Sequence, residues 1–579
     1  MAAIITSKFR FHNAEQFKES FSEAAPTNYY LYIGRPSEFA TGTTGGTDSA
    51  PPTPVDNRRS EAYHWDDMLA AKKIDSTGVT HAIPRRDLDT SGSTTYDMYR
   101  PNYSATTTAT SGATNLFDST FYFMTSAYRV YKVLDNAVNG TAAAWSGTEG
   151  TPTSTGSAPI TTGNYKIKYM FTLSTTQVQN FLTPDFIACP TAAESGNGLV
   201  DGRLDVIKIT TVGAVTPVPT NDLVVYNVPV RGDGTGGLAS VTIGGSSGSN
   251  GGQITTVAVT AVGSSYTHAN IFASDIKEQY DLQQSGTLTV GTAPVFEIVI
   301  GPDGGHGGNP ARELGGHFAM MDVKLQQTET YDFSVVNDFR QVGVLRNPYS
   351  YGTSSAYTST SARQTSAIKL TNATSGTFAV DELISQALVT PTVSGITVSG
   401  STLTVTTAAA HGYATGQIVT IGAGTFAGGA TTGHRGTHYI TVTSTTAFTY
   451  VVGSQRTPTG SMSGTATCVP TSPQATVVEF DASNNILFYI QTSYLNQGTG
   501  EAGESIPFSG SATITGAGST ATGIPDTAYS SSLNNTAFTA GYSNPEMQPD
   551  SGDIIYMENR KPISRASDQT EDIKLIVEF

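Results

Sequence analysis

Apolar residues in this chain come in short runs that alternate with polar ones or cluster β-branched side chains. Glycine, proline or a Ser/Thr/Asn turn cuts off each run. "GITVSGSTLTVTT", "GQIVTIG" and "APVFEIVIG" show the pattern. Text that turns every ~8–12 residues makes strands and leaves little room for long helices. The 60 glycines, 27 prolines and low charge (13 %) fit that reading, while 9 % aromatics argue against a disordered chain. At 579 residues the chain is too long for one core. The expected fold is mainly β with a few short helices (α+β), built as multi-domain sandwich- or barrel-like lobes with an inserted small β module.

Organisation follows from shifts in the text. Residues 1–195 read as an α+β lobe. Here Asn13 would cap a helix over "AEQFKESFSEA", with Phe17 and Phe21 a turn apart. "NYYLYIGR" follows as a strand and "AYHWDDMLAAKKI" as a second helix. "FDSTFYFMTSAYRVYKVLDN" and "NYKIKYMFTL" are core strands, and Thr175 would cap a short helix, "TQVQNFL". Residues 196–304 form a β-rich lobe of glycine-separated strands. Residues 305–387 return to core strands, with a polar turn near Thr328. Residues 388–470 alternate cleanly and read as an inserted small β module with one wet face per strand. Residues 471–579 complete the fold: a hairpin turning at "DASNN", a low-complexity loop at 509–545, and two final strands around a charged turn. The last, "IKLIVEF", is expected to be pinned into a sheet.

A net charge of −16 repels phosphate backbones, so nucleic acid is not an expected partner. No run approaches the ~18 apolar residues of a membrane span, and the first residues lack a secretory pattern. Cys189 and Cys468 have no neighbouring ligands and are expected as free buried thiols.

The busiest stretch is "GPDGGHGGNPARELGGHF", residues 301–318. Gly304, Gly305, His306, Gly307, Arg312 and Glu313 are its candidate site residues. His306 and His317 stand eleven apart without a metal-ligand pattern. A phosphate cradle would need a helix to follow, and Pro310 with the next strand leaves little room for one. The expectation is therefore a structural, glycine-rich turn. "GTGEAG" (498–503) matches GxGxxG but lacks the βαβ context. "RGD" at 231–233 reads as a turn, and His411 in "TAAAHGYATGQ" as a structural histidine. Asp201 and Asp205 around Arg203 read as a turn with a local salt bridge. In the C-terminal text, Arg560, Lys561, Arg565, Asp568 and Glu571 form a mixed-charge turn. That turn is either solvated or a subunit interface that sets register. Nothing calls for a catalytic residue, a metal or a cofactor.

Six stretches together resemble one family. They are "IITSKFR", "FYFMTSAYRVYKVLDN", "YKIKYMFTLS", "GGHGGNPARELGG", "ETYDFSVVNDFRQVGVL" and "DSGDIIYMENRKPISRASDQTEDIKLIVEF". In order, they resemble the baseplate wedge protein of T4-like contractile-tailed phages, the gene product 8 family, and most of all its marine cyanophage versions. Regions 200–300 and 388–470 match less clearly, and the chain looks longer than the family pattern.

The resemblance implies a non-enzymatic structural subunit in the virion's tail baseplate, assembled in the host cytoplasm. It implies contacts with other wedge proteins, a homodimer within each wedge, and a share in the rearrangement that triggers sheath contraction. The alternative is a tail-fibre or receptor-binding protein recognising host surface glycans, with 388–470 as its binding module. A third reading, a glycan-degrading enzyme using Asp201, Asp205 or Asp303, needs two carboxylates ~5–10 Å apart in a groove.

Overall fold

A computed structural model describes residues 5–579 apart from 24, 26, 41–44, 139–141, 195–197, 327–332, 373 and 493–505. The turn expected near Thr328 and the "GTGEAG" stretch lie outside the described residues. Antiparallel strands dominate, as the short alternating runs require. Five helices occur among the described residues: α1 (Ser7–Glu19), α2 (Arg58–Asp67), α3 (Thr175–Phe181), α4 (Ala273–Gln283) and α5 (Pro310–Leu314).

The chain folds into two compact units built from interleaved segments. One comprises Met1–Ser22, Ser76–Asp322 and Lys574–Phe579; the other comprises Glu23–Asp75 and Val323–Ile573.

In the first unit, Arg129–Asp135 sits between Tyr122–Met124 and Tyr165–Thr172 in a four-stranded antiparallel sheet. One face of this sheet holds an aromatic cluster of Tyr96, Phe123, Tyr131, Trp145, Tyr165 and Tyr169. Trp145 and Tyr165 ring centres lie 4.7 Å apart, and packed aromatics contribute beyond their buried area. The β-rich stretch folds around a separate core that includes Leu204, Val228, Ala239, Val241, Ile254 and Ile276.

Helix starts and stops differ from expectation in several places. Thr6, not Asn13, caps α1: its hydroxyl accepts from the Phe9 amide at 3.3 Å, and Asn13 lies inside the helix. The earlier start buries Phe11 and Ala14, three apart on one face. Ser174 rather than Thr175 caps α3, because Gln177 three residues on closes a reciprocal capping box. α4 was not expected within the β-rich stretch. Its apolar signal is thin, but Ile276 and Tyr280 are one turn apart and both buried, and the helix packs on the strand Leu223–Pro229. α5 occupies the place where no helix was expected, made possible by its Asn309 cap and Pro310 in its first turn.

In the second unit, a five-stranded sheet runs in the order Ser361–Arg363, Met68–Lys73, Tyr29–Gly34, Phe339–Arg346, Asp553–Ile563. The expected helix "AYHWDDMLAAKKI" is thus split. α2 ends at Asp67, and Met68 leaves in an extended conformation (ψ 128°) to start a strand. Ala70 and Ala71, small and fully buried, let that strand sit between two neighbours. Tertiary pairing outweighs the helix preference of these alanines.

The 509–545 stretch is also more ordered than a draped loop. Ile514–Gly516, Thr522–Gly523 and Tyr542–Ser543 join a seven-stranded sheet, and Ile514 is fully buried. Inside this sheet, Leu383–Gln386 pairs with Gln474–Asp481, Ser385 opposite Gln474. The chain between them forms two sheets around a core that includes Val393, Leu403, Val405, Val419, Phe448 and Cys468. Every residue of that core falls within 388–470.

Candidate functional site

The strand Val295–Ile300 delivers the chain into the glycine-rich stretch, and Phe318–Gln326 carries it away, paired with Val79–Pro84. Between them the backbone turns with positive φ at Gly304, Gly305, Gly307 and Gly315. At Gly305 a side chain has no room: a Cβ would meet the Val200 backbone nitrogen and oxygen at 2.8 Å, and φ is 83°. Gly315, at φ 84°, ends α5 in the left-handed conformation.

These turns aim two backbone amides at carboxylates. Gly304 N–H donates to Asp201 Oδ1 at 2.9 Å, and Gly307 N–H donates to Glu313 Oε1 at 2.7 Å. The other Glu313 oxygen pairs with the Lys132 ammonium, both side chains being almost wholly enclosed. Lys132 lies 4.6 Å from the Tyr99 ring centre, where a cation is favoured. Burial pulls the Lys132 pKa down, and Glu313 opposes that shift.

His306 lies in the same interior. Its Nε2 is 3.4 Å from Asp205 Oδ2, and Tyr99 meets its ring edge-on at 5.3 Å. Burial, then Lys132 and Arg203, holds His306 well below its ordinary pKa. The ring is therefore neutral, and its contact with Asp205 is not an ion pair. Asp205 instead accepts from Arg203 Nη2 at 2.8 Å. Its backbone carbonyl takes Lys166 Nζ at 2.7 Å. Lys168, also buried, donates to the Ser157 carbonyl, and burial and Arg203 bring its pKa down to about 8.

The structure thus brings together His306, Gly307 and Glu313 with Lys132, Tyr99, Arg203 and Asp205. Gly304 and Gly305 shape the turn. Arg312 points elsewhere, its guanidinium 5.6 Å from the Phe11 ring centre. Lys132, 181 residues from Glu313, was not singled out from sequence. Its strand, "RVYKVLD", carries a lysine inside an otherwise apolar run, and that was the available signal.

Chemically, this is an enclosed set of paired charges rather than an open constellation, with His306 Nδ1 left without a hydrogen-bond partner among the described residues. Asp201 and Asp303 line a neighbouring cleft of about 600 Å³, walled by the Arg100–Glu297 ion pair, whereas Asp205 lies in the buried set. Among the described residues no three His, Cys, Asp or Glu side chains gather where they could hold a metal ion. Among the described residues no helix is long and apolar enough to cross a membrane. Cys189 and Cys468 are free and buried.

The other sequence candidates separate. Arg560 and Lys561 lie on the strand Asp553–Ile563 and are exposed, with Arg560 Nε 3.3 Å from Glu558 Oε1. Asp568 is exposed in the turn. Arg565 and Glu571 do not belong to a solvated turn: both are buried and face each other at 3.4 Å. Arg565 also donates to the Ser334 carbonyl. An arginine six residues from a glutamate reads as loop charge in sequence, but the strands on either side fold both side chains inward. Asp233 of "RGD" accepts from Thr267, and Arg231 pairs with Asp275. His411 Nδ1 accepts from the Tyr413 amide at 3.0 Å, and its Nε2 lies 3.1 Å from the Ser444 carbonyl, a structural role.

The fold defines a mainly β, multi-sheet protein whose most elaborate side-chain cluster is internal. Its two ends, residues 3–144 and 526–579, match the family model described as Bacteriophage T4, Gp8. Over these two segments the chain is similar to that phage protein. None of the curated proteins matches it. The match covers about a third of the chain and contributes segments to both compact units. Three of the six resembling stretches, "YKIKYMFTLS", "GGHGGNPARELGG" and "ETYDFSVVNDFRQVGVL", fall between the matched segments.

Proposed function

We propose that this protein is a non-enzymatic wedge subunit that pairs with a second copy of itself and bridges neighbouring wedge proteins in the tail baseplate. In this role it helps transmit the rearrangement that triggers sheath contraction. The observation that carries the reading is the family match at both ends of the chain. The internal charge set supports it. Lys132, Glu313, Asp205 and His306 are enclosed and engaged with one another, as suits groups that fix a fold rather than turn over a substrate. The expected site is the virion tail, with assembly in the host cytoplasm.

The test is reconstitution. The purified chain is mixed with the other wedge proteins of the same phage and followed by sedimentation velocity. Co-sedimentation in a defined complex supports the reading; a chain that sediments alone under all pairings contradicts it.

A further inference from the structure

The second unit carries a pair of adjoining basins of about 470 and 500 Å³ that no part of the wedge reading uses. Asn535, Pro545 and Glu546 line both. Asn534 and Asn535 are the two central residues of the hairpin joining Ser532–Leu533 to Thr536–Ala537, with φ of 48° and 57°. Two consecutive left-handed residues make a tight turn matched to strand twist, so Asn535 is held on a rigid tip.

Glu546 is fixed as well. Its Oε2 accepts from the Tyr357 hydroxyl at 2.7 Å and from the Arg363 amide at 3.3 Å. The Arg363 guanidinium is buried and donates to Ser543 Oγ and the Asn544 carbonyl. Tyr351, 41 % exposed, is tied alongside by its amide, which donates to the Glu546 carbonyl at 2.9 Å. Ser359, Thr360 and Asn544 add exposed hydroxyl and amide groups.

This lining selects a chemistry. Glu546 is the one acidic side chain of the two basins, and their one basic side chain, Arg363, is turned inward, so an anionic ligand meets repulsion. The wall sets hydroxyl, amide and carboxylate groups beside Ala537 and Pro545, so a wholly apolar ligand would leave those polar groups unpaired. Fixed acceptors and donors beside one exposed aromatic ring suit a neutral molecule with many hydroxyls and an apolar C–H face. Both basins fall in the usual size range of small-molecule sites. We propose that this double basin binds a neutral oligosaccharide, with Tyr351 as the stacking surface and Asn535 and Glu546 as the hydroxyl-reading groups. The proposal is independent of the wedge role, and its failure leaves that role untouched.

The test titrates the full chain with neutral tri- and tetrasaccharides of glucose, galactose, mannose and N-acetylglucosamine, with a sialylated trisaccharide as anionic control. Calorimetry and saturation-transfer NMR are the readouts. At least one neutral sugar is expected to bind with a Kd of about 1 mM or tighter, and the anionic control is not. Tyr351→Ala and Asn535→Gly, the latter keeping the left-handed turn, are expected to weaken binding at least about tenfold at unchanged Tm. Three results would each overturn the proposal: no neutral sugar bound, preference for the anionic control, or binding that both variants leave intact.

Discussion

Lys132 on the strand Arg129–Asp135 and Glu313 on α5 close a buried ion pair across 181 residues of chain. Glu313 also takes the Gly307 amide, so a single carboxylate ties the core sheet to the glycine-rich turn. Removing one partner leaves the other charge buried and uncompensated. Glu313→Ala is expected to cost about 3–5 kcal/mol, and the double replacement Lys132→Met with Glu313→Leu to recover much of that. Urea unfolding of the three variants measures it; a Glu313→Ala chain with an unchanged midpoint would contradict the role given to the pair.

Gly305 supplies a second check on the same turn. Gly305→Ala places a Cβ against the Val200 backbone and holds a non-glycine residue at φ 83°. The expected loss is at least ~1–3 kcal/mol. Gly304→Ala, with nothing within 4 Å of its Cβ, meets only the φ penalty and should lose less. Thermal melts of the two variants, compared directly, decide it.

Two buried histidines predict an acid sensitivity. His64, hydrogen-bonded to the Tyr32 hydroxyl at 2.8 Å, and His81, 2.9 Å from the Gly316 carbonyl, are each pushed down to about 4, mainly by burial. The folded protein therefore binds fewer protons than the unfolded chain between about pH 4 and 6.5. Their contribution is fully present above pH 6.5, is lost progressively as pH falls toward 4, and changes no further below that. Urea midpoints at pH 5 and pH 7 should differ in wild type, and His81→Gln should narrow the gap. Equal midpoints in wild type would contradict the lowered pKa values of these histidines.

Much of this architecture could be read from the chain because strand text is local. The alternation of "STLTVTT" appears as the strand Thr402–Thr407, with Leu403 and Val405 buried. Elements that depend on partners were harder to see. Met68–Lys73 is helix-favouring text made into a strand by neighbours on both sides, one of them almost 300 residues away in sequence. The candidate stretch 301–318 drew attention through its glycines and histidines, and those do shape it. Its electrostatic partners, Lys132 on the strand Arg129–Asp135 and the adjacent Arg203 and Asp205 at the start of Leu204–Thr211, lie far off in sequence, and no spacing rule links them to it. Arg565 and Glu571 were visible as charges but not as a buried pair, because burial is decided by Ser334 and the strands around them.

The 388–470 segment is expected to be removable. Ser385 and Gln474 face each other on paired strands, so excision leaves two strand ends that a short Gly/Ser turn can join as a hairpin. The loss is a polar clamp, in which Gln417 Nε2 donates to the Pro507 carbonyl at 2.8 Å and to Ser509 Oγ at 2.9 Å. The deletion protein should be soluble and melt cooperatively, with a Tm lowered by no more than a few degrees. An insoluble or molten product would show that the segment is integral to the sheet beneath it.

The measurement that bears most directly on the wedge account is the mass of the purified chain in solution, by light scattering on a sizing column. The account predicts a dimer, twice 60.6 kDa. A stable trimer, the symmetry expected of a fibre or receptor-binding protein, would contradict it.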